Sequence, residues 1–273
     1  MPIPNEFLGR MRGRGVIVTG AGTQGSSEGV GTGKAIAFLM AAEGARVALV
    51  DRDTERVDVT QKMIADHGGE SKAFLGDVTD AHSVAHFVGE AVAWLGGLDA
   101  LINNVGAGAG SSRIEDMTPE MFKHNIDINL TSAFLVTRAA IPSLLAGAGK
   151  AVVNIASLAG LRAHGAAGYG AAKAGLIEFT HELAVIYGRD GLRANAIAPG
   201  HIYTPLVAGF EAMRDVRRRI GPLGIEGDAW DVAQATLFLS GPESRFITGA
   251  CLPVDGGVSA IAPWAAWQLL QRD

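Results

Sequence analysis

The sequence predicts an α/β fold in which a doubly wound parallel sheet of about seven strands carries helices on both faces. Two observations predict it. Short apolar runs rich in β-branched residues alternate along the chain with longer, alanine-rich segments of helical period, the pattern of βαβ units. The short runs are also apolar almost throughout, as expected of strands whose two faces are both covered.

Each predicted strand is one of the short apolar runs, and each predicted helix lies between two of them. In chain order the strands occupy Gly15–Thr19 (GVIVT), 46–50 (RVALV), 72–75, Ala100–Asn103, 151–156 (AVVNIA), 193–198 and Cys251–Val254. The helices occupy 34–43, 54–67, Ala81–Leu95, 119–145 and 169–187. Every helical segment is long enough to cross over one face of the sheet.

No segment rich in proline, serine or charge interrupts this alternation, so residues 1–273 are expected to form one domain. Residues 203–228 lack strand character and predict a small helical excursion that could cover a ligand crevice. The C-terminal tail, 258–273, is apolar and contains two tryptophans. Because exposing it would be costly, we expect it in a subunit interface or folded back near a site.

Charge and composition exclude several classes of protein. Lys and Arg number 23 against 28 Asp and Glu, a net charge of −5, so there is no basic field for a nucleic acid. The single cysteine, Cys251, excludes an internal disulfide and suits a reducing compartment. We find no signal peptide and no apolar run of the ~18 residues that a membrane span needs. The sequence therefore predicts a soluble cytoplasmic protein with no membrane partner.

Two clusters of polar side chains carry weaker signals. His82 and His86 lie four residues apart on a predicted helix, but no third ligand is evident, so no metal site is predicted. The excursion contains Arg214 and the run 217–219. A solvated or subunit-facing surface is the favoured interpretation of these arginines, and recognition of a substrate carboxylate or phosphate is the alternative.

Glycine is in excess, with 37 residues in 273, about twice the usual share of roughly 7 %. Six glycines, at positions 20, 22, 25, 29, 31 and 33, follow the first strand in TGAGTQGSSEGVGTGKA. Glycine permits a tight turn there and lets a pyrophosphate approach the backbone and the amides of a helix N-terminus. Such a turn alone fits a structural loop equally well, but its place between a strand and a helix favours a dinucleotide site.

Asp51 lies 18 residues beyond Gly33, at the end of the second predicted strand. A carboxylate at about this spacing binds the adenosine ribose hydroxyls, whereas the structural alternative is a solvated side chain. Its charge would repel the 2′-phosphate of NADP, and Val30, which precedes Gly31, is not basic. Arg52 acts in the opposite sense, since an arginine here can pair with that phosphate. NAD is favoured over NADP.

A tyrosine and a lysine four residues apart form the candidate catalytic pair. Of the tyrosines at 169, 187 and 203, only Tyr169 is followed at that spacing by a lysine, Lys173. The spacing places both on one helix face. A free tyrosine has a pKa of ~10, and an adjacent ammonium and a cationic nicotinamide would stabilise its phenolate. Ser157, twelve residues upstream, ends the fifth strand, where such folds place reactive groups.

Together these features resemble the short-chain dehydrogenase/reductase family over nearly the full length of the chain. The matching residues are Thr19–Gly20, Asp77–Val78, Asn103–Asn104–Val105–Gly106, Asn129, Ser157, Tyr169 with Lys173, and Pro199–Gly200. The resemblance implies a Rossmann-type sheet with strand order 3-2-1-4-5-6-7 and an oxidoreductase activity.

The resemblance also implies four catalytic roles. Tyr169 would be the general acid and base, and Ser157 would bind the substrate oxygen. Lys173 would lower the pKa of the tyrosine and bind the nicotinamide ribose. Asn129 would hold a water in a proton relay to Lys173.

Further residues would bind the cofactor. Asp77 and Val78 would meet the adenine, and Thr204 would bind the nicotinamide amide unless it only caps a helix. The full predicted set is Gly20, Gly31, Gly33, Asp51, Asp77, Val78, Asn103, Gly106, Tyr169, Lys173, Pro199, Gly200 and Thr204.

One departure from the family pattern stands out. The family loop reads TGxxxGxG, whereas Gly20 and Gly31 are eleven residues apart rather than four. Seven extra residues therefore lie within 24–30 or nearby. They could fold outward without effect, the favoured interpretation, or bring the hydroxyls of Ser26 or Ser27 to the phosphates.

The expected function is NAD-dependent interconversion of a secondary alcohol and a ketone. Two alternatives remain open: an NADPH-dependent 3-oxoacyl-carrier-protein reductase, and a non-catalytic dinucleotide-binding protein on the same fold. The substrate would be a small molecule contacted by 107–114, 158–168 and 203–220, and its identity is left open. A homotetramer is expected, with the long helices around Asn129 and Tyr169 pairing between subunits.

Overall fold

The strands and helices alternate as the sequence predicts. The computed structural model describes residues 7–23, 30–108, 113–205 and 212–271. The strands in these ranges are β1 Gly15–Thr19, β2 Arg46–Asp51, β3 Glu70–Leu75, β4 Ala100–Asn103, β5 Ala151–Ile155, β6 Arg193–Pro199, β7 Ile202–Tyr203, β8 Gly227–Asp228 and β9 Cys251–Val254. The helices are α1 Thr32–Ala42, α2 Thr54–Asp66, α3 Ala81–Leu95, α4 Pro119–Ile126, α5 Ser132–Ala146, α6 Leu158–Leu161, α7 Ala167–Tyr187, α8 Arg214–Arg219, α9 Ala229–Ser240 and α10 Pro263–Leu270.

Seven strands form one parallel sheet in the order β3-β2-β1-β4-β5-β6-β9. This confirms the predicted order, because β9 is the seventh sheet strand along the chain. β7 and β8 pair with each other in a separate two-stranded sheet that the sequence did not predict. Each is only two residues long, too short to show a periodic pattern.

The core lies in two layers, one on each face of the sheet. In β1 the pleat directs Val16 and Val18 to one layer and Ile17 to the other. The first layer contains Phe38 of α1 packed edge-on against Trp230 of α9, with ring centroids 5.6 Å apart. The second is closed by α3, α5 and α7. Helices therefore cover both faces, as predicted.

The helix predicted over 119–145 contains an irregularity. Its N-terminus is capped by the Thr118 hydroxyl, which accepts from the Met121 amide at 3.2 Å. A π-helical turn at Asp127–Thr131 then separates α4 from α5. Together the two helices and the turn between them form one helical segment, Pro119–Ala146, that is long and apolar enough to cross a membrane. Buried core helices of globular proteins meet the same criterion of length and composition.

The excursion and the tail pack against each other. Arg219 of α8 donates to the Leu270 carbonyl of α10 at 2.6 Å. Trp264 and Trp267 stack with centroids 4.9 Å apart, and remain 66 % and 52 % exposed in the single chain. The tail is thus folded back, but onto the excursion.

The arginines of the excursion are engaged within the chain. Arg214 pairs with Glu226 at 2.8 Å, and Arg218 pairs with Asp215 at 2.8 Å. Arg217 donates to the Ile202 carbonyl at 3.2 Å. This pairing favours a structural role over recognition of an acidic substrate.

Candidate active site

A cleft of about 240 Å³ opens at the carboxyl ends of the central strands. Eight of the predicted cofactor residues line it: Gly20, Gly31, Gly33, Asp51, Asp77, Val78, Gly106 and Thr204. The carboxyl ends of parallel strands meet at this edge, which is where open α/β sheets bind ligands. Ser26 and Ser27 lie outside the described residues, as do 109–112 and 206–211 of the expected substrate segments.

Other predicted residues lie beside the cleft rather than in its wall. Asn103 is buried behind it and donates to the Asn154 and Thr137 side chains at 2.8 and 2.9 Å. Pro199 ends β6, and Gly200 lines a neighbouring cavity. For these residues, cofactor contact stays a prediction.

The sequence missed several residues of the cleft wall. Asn104 and Val105 belong to the family motif after β4 but were not among the predicted cofactor residues. His124 and Ile128 reach the cleft from α4 and the π-helical turn, which no local pattern signals. Ala107 belongs to a segment predicted to contact the substrate, and the remaining unpredicted lining residues include Gly22, Thr23, Thr32, Arg56 and Gly76.

The backbone of the glycine turn packs too closely against its neighbours to accept side chains. Gly20 has a φ of +64°, a left-handed conformation that favours glycine. A Cβ on Gly33 would collide with the Gly20 carbonyl oxygen, and one on Gly22 would lie 2.7 Å from the Cβ of Arg56. This cradle beside the N-terminus of α1 fits the pyrophosphate of a dinucleotide.

Charged groups border the end of the cleft at Asp51. Asp51 accepts from the Gly22 amide at 2.9 Å through Oδ2 and from the Asp53 amide at 3.2 Å through Oδ1. Arg52 lies on the same wall. Hydrogen bonds from Thr79 lower the pKa of Asp77, and the charge of Arg52 adds to that lowering. Carboxylates therefore border this end, with arginine beside them.

Tyr169 and Lys173 lie one turn apart on α7, as the spacing predicts. Burial raises the pKa of Tyr169, and a hydrogen bond with the Ser157 side chain opposes that rise. Lys173 is 2 % exposed, and burial lowers its pKa to about 7. Its Nζ donates to the Ile155 carbonyl at 2.8 Å and lies 5.8 Å from the tyrosine ring centroid. In the chain alone, the pKa of Tyr169 is therefore raised overall, and Ser157 is the side chain that opposes the rise.

Asn129 joins the helix to the loop that follows β4. It lies in the π-helical turn, is 1 % exposed, and exchanges two hydrogen bonds with the Ala107 backbone, at 2.7 and 3.1 Å. A Cβ on Gly106 would lie 2.9 Å from Lys173 Nζ and 3.0 Å from Asn129 Oδ1. The wall of the cleft therefore adjoins the candidate catalytic groups. The water-holding role of Asn129 stays a prediction.

This arrangement can support proton transfer beside a bound dinucleotide. A phenol close to a buried amine can take up or release a proton at a substrate oxygen. Across 7–23, 30–108, 113–205 and 212–271, no group of three His, Cys, Asp or Glu side chains is placed to hold a metal ion.

Comparisons with known proteins agree with this geometry. A family model described as enoyl-(acyl carrier protein) reductase matches residues 25–259. A cis-4-hydroxycyclohexanecarboxylate dehydrogenase from Sinomonas cyclohexanicum is 35 % identical over 252 residues, which are 91 % of this chain and 97 % of the relative. A cyclohexanol dehydrogenase from Acinetobacter is 33 % identical over 245 residues, 89 % of this chain and 94 % of the relative. The crystal structure of a protein from Burkholderia xenovorans, assigned to the short-chain dehydrogenase/reductases, superposes with a TM-score of 0.87 at 39 % identity, over 93 % of this chain and 99 % of that one.

Proposed function

Because the chain belongs to the short-chain dehydrogenase/reductase family, we propose that it interconverts a secondary alcohol and a ketone with NAD as cofactor. The observation that carries the proposal is the position of Tyr169 beside the buried Lys173, whose Nζ lies 5.8 Å from the tyrosine ring centroid and borders the glycine-lined cleft at Gly106.

The bound dinucleotide would supply the acceptor for the hydride that leaves the alcohol carbon. The chain's own residues handle the proton. Tyr169 takes the hydroxyl proton as the carbonyl forms, and the Ser157 hydroxyl orients the substrate oxygen. Lys173 holds the ribose and, when protonated, favours the phenolate.

NAD is preferred to NADP in this proposal. Asp51 lines the cleft, and its two oxygens are fixed by the Gly22 and Asp53 amides. The position of its charge is therefore set before any ligand binds, which supports repulsion of a 2′-phosphate. Arg52, on the same wall, is the feature that weakens the preference.

A cyclic secondary alcohol is the favoured substrate class. The names of the two dehydrogenase relatives specify a cyclohexanol and a hydroxycyclohexanecarboxylate. The paired arginines of α8 give no support to a carboxylate requirement, so an uncharged ring is the first choice.

We further propose a cytoplasmic homotetramer of single-domain subunits. Apolar side chains stay exposed in the single chain on the helices expected to pair, among them Phe122 and Phe134 on α4 and α5, and Val185 and Ile186 on α7. Large apolar areas of this kind mark interaction surfaces.

A screen of NAD⁺ and NADP⁺ reduction over cyclic, aromatic, polyol, steroid and hydroxy-acid alcohols tests the proposal. We expect turnover of a cyclic alcohol with a preference for NAD⁺. Activity confined to NADPH and an acyl thioester would favour the carrier-protein reductase instead. Dinucleotide binding without turnover of any alcohol would favour a non-catalytic protein.

A further inference from the structure

A side-chain hydrogen bond closes the base of the extended glycine loop. The Gly31 amide donates to Thr23 Oγ1 at 3.2 Å. A Cβ built on Gly31 would lie 3.6 Å from the Cα of Thr23. The two residues that flank 24–30 are therefore neighbours in space, although they are eight positions apart in sequence.

The chain that leads to Thr23 is fixed by contacts with β2 and α2. The Ala21 carbonyl accepts from Thr60 Oγ1 at 2.7 Å, and Thr60 is fully buried in α2. The next amide, that of Gly22, donates to Asp51 Oδ2 at 2.9 Å. Among the described residues, β2 and α2 thus hold the path of the turn up to Thr23.

The chain that leaves the loop is fixed as well. Gly31 precedes α1, and its carbonyl accepts the Ala35 amide at 3.0 Å. Two residues later, the backbone of Gly33 packs against the Gly20 carbonyl so closely that no Cβ fits between them. The start of α1 is therefore held against β1.

If residues 24–30 are left out, so that Gly31 directly follows Thr23, the loop sequence becomes TGAGTGTG. Gly20, Gly31 and Gly33 then take the spacing of the family pattern TGxxxGxG. The structure thus places the extra length between Thr23 and Gly31, where the sequence alone left its position open.

We propose that Thr23 is a positioning residue whose hydroxyl closes the phosphate-binding turn, and that residues 24–30 are an insertion the turn does not need for dinucleotide binding. The hydroxyl gives the Gly31 amide, at the N-terminus of α1, a hydrogen-bond acceptor. Only the identity of the ligand rests on the proposed function, because the closure is a property of the chain itself.

Four variants test the proposal. Thr23→Val removes the acceptor with little change of shape, and Thr23→Ser keeps it. A deletion of 24–30 joins Thr23 to Gly31, and a Gly-Ser replacement of 24–29 keeps the loop length and the partly buried Val30. Thr54→Val, at an exposed threonine of α2, is the matched control.

Two measurements compare these variants with the parent protein. They are the NADH affinity, from a fluorescence titration, and the rate of hydrogen exchange of the backbone amides in 30–35. We expect Thr23→Val to weaken NADH binding about tenfold and to speed the exchange, because one hydrogen bond that fixes the turn is lost. Thr23→Ser, the Gly-Ser replacement and Thr54→Val should stay within about threefold of the parent affinity. The deletion should do so as well, because in it the peptide bond between Thr23 and Gly31 takes the place of the hydrogen bond.

The outcomes separate this proposal from the proposed function. Unchanged affinity and exchange in Thr23→Val would overturn the role of Thr23. Loss of NADH binding in the folded deletion or the folded Gly-Ser variant would overturn the dispensability of the insertion. A parent protein that binds no NADH would contradict the proposed function, and the exchange rates would still decide whether Thr23 closes the turn.

Discussion

At the scale of single residues, Lys173 combines a cost in stability with a role in the proposed chemistry. It is 2 % exposed, its Nζ donates to the Ile155 carbonyl, and burial lowers its pKa from 10.5 to about 7. Between about pH 7 and pH 10.5 this lysine binds a proton in the unfolded chain but not in the folded one. The free energy of unfolding therefore rises with pH over that range. Below about pH 7 the folded protein carries a buried ammonium, which is unfavourable.

Lys173→Met should therefore change the pH dependence of stability. We expect its unfolding temperature, relative to the parent, to be highest below pH 7 and to fall as the pH approaches 9. Loss of the hydrogen bond to Ile155, worth about 1 kcal/mol, is the same at every pH and leaves this trend intact. Thermal unfolding of both proteins, with Lys62→Met as the exposed control, provides the measurement. A difference that does not vary with pH would show that the lysine titrates normally.

At the scale of elements, the entry of α1 depends on close backbone approach. A Cβ on Gly33 would collide with the Gly20 carbonyl oxygen and lie 2.5 Å from Asn104 Nδ2. Neither group can move far, because Gly20 directly follows β1 and Asn104 Nδ2 already donates to the Thr19 and Gly20 carbonyls. α1 would have to shift away from the sheet.

Gly33→Ala should lower the free energy of unfolding by about 1–3 kcal/mol, the range for overpacked sites, and abolish tight NADH binding. Gly89→Ala is the control, since it lies in α3 with nothing within 4 Å of its Cβ position. It should stabilise the protein by about 0.5–1 kcal/mol through helix propensity. Urea unfolding compares the two. Equal stability of the two variants would contradict the close packing of α1.

The sequence predicted the seven strands of the main sheet and missed the smaller features, for identifiable reasons. The strand AVVNI could be predicted because all of its residues are buried, which leaves a short, almost wholly apolar run in the sequence. β7 and β8 are too short to show a period, and the π-helical turn keeps the helical pattern on both sides.

In the candidate site, too, some residues could be predicted from the sequence and others could not. The cleft residues that follow strands could be predicted from their place at strand ends. Thr60 and His124 could not, because they reach the loop and the cleft only through packing between distant segments. The position of the insertion needed the contact of Thr23 with Gly31.

At the scale of the whole molecule, the proposed tetramer follows from apolar surface that the single chain leaves uncovered. Phe134 of α5 is 44 % exposed and packs its ring against Phe179 of α7, with centroids 6.2 Å apart. Ile186 of α7 is exposed as well. A second copy of these helices would cover this surface.

Light scattering should give four times the chain mass of 28.3 kDa for the parent protein. Phe134→Glu should yield smaller species, because a carboxylate buried in an apolar interface is unfavourable. Val59→Glu, at an exposed position of α2, should leave the mass unchanged. A monomeric parent protein, or a tetrameric Phe134→Glu variant, would contradict this assembly.

The most direct test of the central claim is the rate of NADH formation from a cyclic secondary alcohol by the parent protein and by Tyr169→Phe, with NADH affinity measured in parallel. We expect turnover by the variant to fall by about 10²–10⁴-fold, the usual contribution of a general acid or base, while NADH affinity stays within about threefold. Turnover by the variant close to that of the parent would contradict the assignment of Tyr169 as the group that transfers the proton.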